Sequence, residues 1–208
     1  MTLPEDYFAG VYGASPDPWG FTDRWYEERK RALTLAALPE RRYGTAFEPG
    51  CSIGVLTEGL ATRCEALLAT DVSDVALTVG AARLAGAPHV RFARAALPRD
   101  WPDGAFDLVV LSELLYYLGD DDLRAVAALA VGAVAPGGTL LSVHWRHPVA
   151  DYPQSGDAAQ QAVADAAAGH LVRTAHHVED DLDLAVHVRP CAGEDPGRLS
   201  VAARGGLC

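Results

Sequence analysis

The chain has 208 residues, half of them hydrophobic and 22% charged, which suffices for one globular domain with a substantial core. Its formal net charge of −11 argues against a nucleic-acid backbone as the main partner, and the arginines between positions 24 and 31 and at 41–42 read as solvated helix faces. The four cysteines (Cys51, Cys64, Cys191, Cys208) show neither metal-ligand nor disulfide-framework spacing. No apolar run resembles a secretory leader or approaches the roughly 20 residues of a membrane span, so a reduced, cytoplasmic setting is expected.

Residues 1–20 are rich in aromatics, proline and glycine and are expected to form an N-terminal cap. A helix over 22–38 follows, with Trp25, Ala32, Leu33, Leu35 and Ala36 on its apolar side and Pro39 ending it. The pattern then alternates: strand 45–48, helix 55–63, strand 66–70, helix 74–85, strand 89–93, strand 106–111, helix 120–134 and strand 139–144. The acidic run from Gly119 to Asp122 suits the positive end of a helix dipole. Near-continuous apolar strands between helices predict a doubly wound, mostly parallel sheet covered on both faces. After a helix at 155–168, two strands at 170–178 and 182–188 are joined by the short acidic turn Glu179-Asp180-Asp181, so one of them should run antiparallel. Residues 1–190 are expected to form a single domain and residues 191–208 an irregular tail.

The most informative stretch is Phe47-Glu48-Pro49-Gly50-Cys51-Ser52-Ile53-Gly54, with Asp71 at the tip of the next strand. A glycine turn between strand and helix lets backbone N–H groups approach a ligand, and an acid about 20 positions on can accept from a ribose. A dinucleotide fingerprint would need its glycines at G-x-G-x-x-G. Here Ser52 holds the second position and Gly54 comes one place early, which disfavours an NAD-linked oxidoreductase. No Lys-Ser/Thr pair follows the turn, so it is not a phosphate loop. Glu48 before the turn would repel a pyrophosphate and suits a cationic ligand.

These residues resemble the first motif of class I S-adenosylmethionine-dependent methyltransferases, with Asp71 as the ribose-binding acid. Phe106-Asp107-Leu108-Val109-Val110 resembles the strand before that family's substrate-side loop, and Pro136-Gly137-Gly138 the turn before its fifth strand. Asp17-Pro18-Trp19, Trp25-Tyr26-Glu27, the segment from Leu111 to Tyr117, and His144-Trp145-Arg146-His147-Pro148 are similar to the nodulation-protein-S-like branch, whose namesake N-methylates an amino sugar. The resemblance implies a Rossmann-like seven-stranded sheet with an antiparallel last strand, and S-adenosyl-L-methionine as methyl donor. The chain departs from the family at Ser52, which stands where a glycine is usual. It departs again at Arg94-Ala95-Ala96, where an adenine-binding Asp is often found and adenine is left to backbone groups.

The resemblance places Glu48, Gly50, Cys51, Ser52, Gly54, Asp71, Val72, Ala95, Ala96 and Ser112 around the cofactor, with Trp19 and Tyr26 as parts of a lid. Glu113, just past the fourth strand, would orient the acceptor or take its proton. His144 and His147, past the fifth strand, are candidate bases. Tyr116, Tyr117 and Trp145 would line the acceptor pocket. The scattered histidines have no ligand spacing, so no metal is expected. The acceptor is expected to be a small molecule, not nucleic acid and not a membrane. N-methylation of an amine leads; O-methylation and a catalytically inactive cofactor-binding partner are the alternatives.

Overall fold

The computed structural model describes residues 1–206; Cys208 and the end of the tail lie outside them. The elements in chain order are α1 (Glu5–Ala14), α2 (Trp25–Ala37), β1 (Tyr43–Pro49), α3 (Val55–Ala61), β2 (Cys64–Asp71), α4 (Asp74–Arg83), β3 (Val90–Arg94) and β4 (Phe106–Ser112). They continue with α5 (Asp120–Ala133), β5 (Val134–Trp145), α6 (Gly156–Ala167), β6 (Val172–Val178), β7 (Leu182–Val188) and the short α7 (Val201–Arg204). The seven strands form one sheet in the order β3-β2-β1-β4-β5-β7-β6. Strands β1 to β5 pair in parallel, and β7 runs antiparallel to both β5 and β6, as the hairpin-like acidic joint predicts.

Alternation along β4 explains why both faces are covered. Val109 and Leu111 point into one core with Leu123, Val126 and Ala130 of α5 and Ala159 and Val163 of α6. Leu108 and Val110 point into a second core with Leu60 of α3, Leu84 beyond α4 and Leu38 beyond α2. Side-chain caps start the helices: Ser73 Oγ accepts from the Ala76 amide, and Ser155 Oγ from that of Ala158.

The strand order reverses between the parallel neighbours β1 and β4, because the chain adds β2 and β3 outward on one side and then returns to add β4 on the other. The carboxyl ends of β1 and β4 therefore flank a crevice at the topological switch point, where open α/β sheets bind ligands.

One expectation needs correction. In α2, Trp25 is 70% exposed and Ala32 and Ala36 lie on the outside; only Leu33 and Leu35 of the expected apolar stripe pack on the core. The buried positions of that helix are the polar residues Glu27, Lys30 and Thr34. Beyond β7, Leu199 is buried and Arg204 is paired with Glu40 and Glu194.

Candidate active site

The turn after β1 is built from three left-handed residues, Gly50 (φ +71°), Ser52 (φ +49°) and Gly54 (φ +76°). At Gly50 a Cβ would sit 3.0 Å from the Leu114 side chain, so only glycine fits between the two switch-point strands. Gly54 opens α3 and packs against the α4 backbone, where a Cβ would come within 3.0 Å of Gly80 Cα. Asp71 ties the turn to β2: one carboxylate oxygen accepts from the Ser52 amide and the other from the Ser73 amide, both at 2.9 Å. Burial pushes the Asp71 carboxyl up, and these backbone donors oppose it.

Glu48, at the end of β1, is 2% exposed, and its Oε2 is buried with no partner. Burial raises its carboxyl to about 8, so it is protonated at neutral pH until a cation or donor arrives. An orphaned carboxylate oxygen beside a glycine turn fits a ligand that brings positive charge.

Ser52, the residue that breaks the glycine pattern, has its hydroxyl 2.5 Å from the Tyr12 hydroxyl of α1. Tyr12 packs edge-on against Trp19, and Phe8 edge-on against Tyr117. Asp17 fixes the connecting loop by accepting from the Phe21 and Thr22 amides, which sets Trp19 beside Phe21. At its other end α1 is held by Leu3, whose amide donates to the Tyr117 carbonyl, and by the Glu5–Arg94 ion pair. Helix α1 thus lies across the crevice as a cap.

Opposite the turn, Glu113 is the other non-glycine residue with positive φ (+54°) among the described residues. That conformation costs about 1–2 kcal/mol and is held here by the Glu113 amide donating to the Val143 carbonyl. Tyr116 Oη donates to Glu113 Oε2 at 2.8 Å, while Glu113 Oε1 is buried and unpartnered. Lys30 Nζ lies 3.5 Å from Glu113 Oε2 and 2.8 Å from Glu27 Oε2.

These parts enclose a cavity of ≈ 460 Å³, within the range of small-molecule sites. Its wall brings together Glu48, Gly50, Cys51, Ser52, Asp71, Val72, Ala95, Ala96, Ser112, Glu113, Tyr116, Tyr117 and Trp19. The backbone at the adenine position is partly committed already: the Ala95 amide donates to the Asp71 carbonyl, and that of Ala96 to Asp100.

Five expected site residues do not line the cavity. His144 is fully buried behind Tyr116, with Nδ1 on Gln160 Oε1, and burial lowers its imidazole to about 4. His147 lies on the surface against Asp181 at 2.7 Å. Trp145, the last residue of β5, packs between Tyr26 and His147. Tyr26 sits behind Lys30, with its ring edge-on to Trp145. Gly54 serves the close approach of α3 and α4. Conversely, the polar face Glu27/Lys30/Thr34 and the α1 residues Phe8 and Tyr12 line the cavity unforeseen. The i, i+3, i+7 spacing of the first three, and a lysine that occurs once in the chain, were the available signals. Among the described residues no group of three or more His, Cys, Asp or Glu could hold a metal ion, and no helix is long and apolar enough to cross a membrane.

Residues 13–165 match the family described as nodulation protein S (NodS). The nodulation protein S of Rhizobium tropici is 32% identical over 130 residues, covering 62% of this chain and 55% of that protein; the Bradyrhizobium diazoefficiens protein is 33% identical, covering 62% of each. The chain thus spans a little over half the length of these curated relatives. Among solved structures, a provisionally assigned methyltransferase from Pseudomonas syringae is 44% identical with a TM-score of 0.70, covering 80% of this chain and 100% of that one. The N-methyltransferase NodS of Bradyrhizobium japonicum in complex with S-adenosyl-L-homocysteine superposes with a TM-score of 0.75 at 24% identity, covering 89% and 98% of the two chains, and shares the fold.

Proposed function

This chain belongs to the nodulation protein S family, and from that premise we propose that it transfers a methyl group from S-adenosylmethionine to a small-molecule amine, with an amino sugar as one candidate acceptor. The observation that carries the reading is Glu48. A buried carboxyl with one unpartnered oxygen, next to a glycine turn and Asp71 at the sheet's switch point, suits an adenosyl ligand with cationic groups and not a pyrophosphate.

The residues present fit that cofactor. Asp71 retains lone pairs for ribose hydroxyls while its backbone donors hold it still, and Glu48 would face the cofactor's cationic ammonium or sulfonium. Ser112 and the Gly50–Ser52 backbone close the near wall, and Tyr12 and Trp19 cover it. When bound, the cofactor supplies a methyl group to the acceptor's lone pair and departs as the neutral thioether.

The protein's own work is alignment, water exclusion and removal of a proton from the acceptor. Glu113 lines the cavity, and its Oε1, buried and without a partner, is the acceptor atom left for this task. His144 is excluded from it by its position behind Tyr116, and His147 by its place on the surface.

Isothermal titration with S-adenosylhomocysteine, alongside NAD, tests the reading. One site for the former and none for NAD is expected; the opposite pair of results would reject it. Transfer of a labelled methyl group onto a panel of amines and alcohols then identifies the acceptor class.

A further inference from the structure

Lys30 is the single lysine of the chain, and it is placed inside the cavity wall with its side chain 4% exposed. Surface ties elsewhere use arginine, as where Arg29 grips Glu179 with two 2.7 Å hydrogen bonds. A buried ammonium is costly to desolvate unless it is well paired. Lys30 Nζ has two short contacts to Glu27, at 3.0 Å and 2.8 Å, and a longer one of 3.5 Å to Glu113 Oε2. The Tyr26 and Phe21 rings flank it at 5.2 and 5.9 Å.

The division of labour at Glu113 is uneven. Both contacts, from Tyr116 Oη and Lys30 Nζ, fall on Oε2, and Oε1 is buried with no partner. The other charged or titratable groups around this pair are Glu27, Arg31 and Tyr26 from α2, Tyr116 and Tyr117 from the turn after β4, and His144 behind the Tyr116 ring.

Resting on the methyltransferase reading above, we infer that Lys30 is a positioning residue that sets the acceptor end of the site. Anchored by Glu27, it pins Glu113 Oε2 together with Tyr116 and leaves the unpartnered Oε1 of that carboxylate to receive a small ammonium group. One N–H proton of that ammonium passes to Oε1, the carboxylate becomes a carboxylic acid, and the nitrogen gains the lone pair it needs. Lys30 registers the event, because the charge it faces at Glu113 is neutralised.

The lone lysine makes the test direct. Full-length protein grown with ε-¹³C-lysine gives one side-chain signal in the NMR spectrum. It is saturated with S-adenosylhomocysteine and titrated with methylammonium chloride, with potassium chloride as control. A saturable shift caused by methylammonium and not by potassium, lost or at least tenfold weaker in Glu113→Gln, is expected. No shift in the natural protein, or the same shift in Glu113→Gln, overturns the inference. Should Glu113→Gln not fold, the potassium comparison on the natural protein decides alone. Failure of S-adenosylhomocysteine itself to bind, read by calorimetry, counts against the cofactor reading separately from the role of Lys30.

Discussion

The hydroxyls of Tyr12 and Ser52 lie 2.5 Å apart, joining the helix that caps the crevice to the turn that forms its floor. Ser52 sits in the left-handed region at φ +49°, where its side chain adds strain that a glycine would avoid. The position trades that freedom for a bond to the cap.

This trade predicts coupling. Tyr12→Phe and Ser52→Ala should each lower stability by about 0.5–1.5 kcal/mol. The double variant should lose little more than either single one, giving a comparable coupling energy in a urea-unfolding cycle. Strict additivity would show that the two hydroxyls do not interact.

Glu48 predicts how cofactor binding depends on pH. Its carboxyl is held at about 8 by burial. A cationic ligand must therefore drive off its proton near neutral pH, so affinity should rise between about pH 6 and 8.5, with net proton release detectable by calorimetry in buffers of different ionisation enthalpy. Glu48→Gln should abolish both effects. The folded state also holds a proton that the unfolded chain gives up, so this group's stability contribution is full below about pH 4.5 and is lost as pH rises toward 8.

His144 works in the opposite sense. Burial depresses its imidazole from 6.5 to about 4, so its contribution to stability is present above 6.5 and is lost as pH falls toward 4. His144→Gln should flatten that acid limb of a stability–pH curve while leaving S-adenosylhomocysteine affinity unchanged. By contrast, His147→Ala, at a surface contact 48% exposed, should change stability by no more than about 0.5 kcal/mol.

Asp71 carries two backbone hydrogen bonds at the base of the turn. Asp71→Ala leaves the Ser52 and Ser73 amides unpaired and removes the ribose acceptor. Stability should fall by about 1–3 kcal/mol, and cofactor affinity by about tenfold or more. Differential scanning calorimetry and titration read the two losses independently.

Much of the fold was legible because its strands are apolar runs with both faces buried. Leu108 to Leu111 announce a central strand, and the acidic turn at Glu179 announces the antiparallel hairpin. The wall of the cavity around the glycine turn was legible for the same local reason: a turn, an acid and a strand tip are set by neighbours in sequence. What lay beyond reach depends on docking between distant segments. Glu27, Lys30 and Thr34 make a polar stripe identical in pattern to a solvated helix face, and only the tertiary placement of α2 turns it inward. Trp25 went the other way for the same reason. His144 and His147 sit three residues apart at one strand end, yet Gln160 of α6 claims one and Asp181 the other.

The most direct measurement is calorimetric titration of the natural protein with S-adenosylmethionine. The account predicts one molecule bound per chain with a Kd below about 1 mM, displaced by S-adenosylhomocysteine and weakened at least tenfold in Asp71→Ala. Absence of binding by the natural protein, or equal binding by Asp71→Ala, would contradict it.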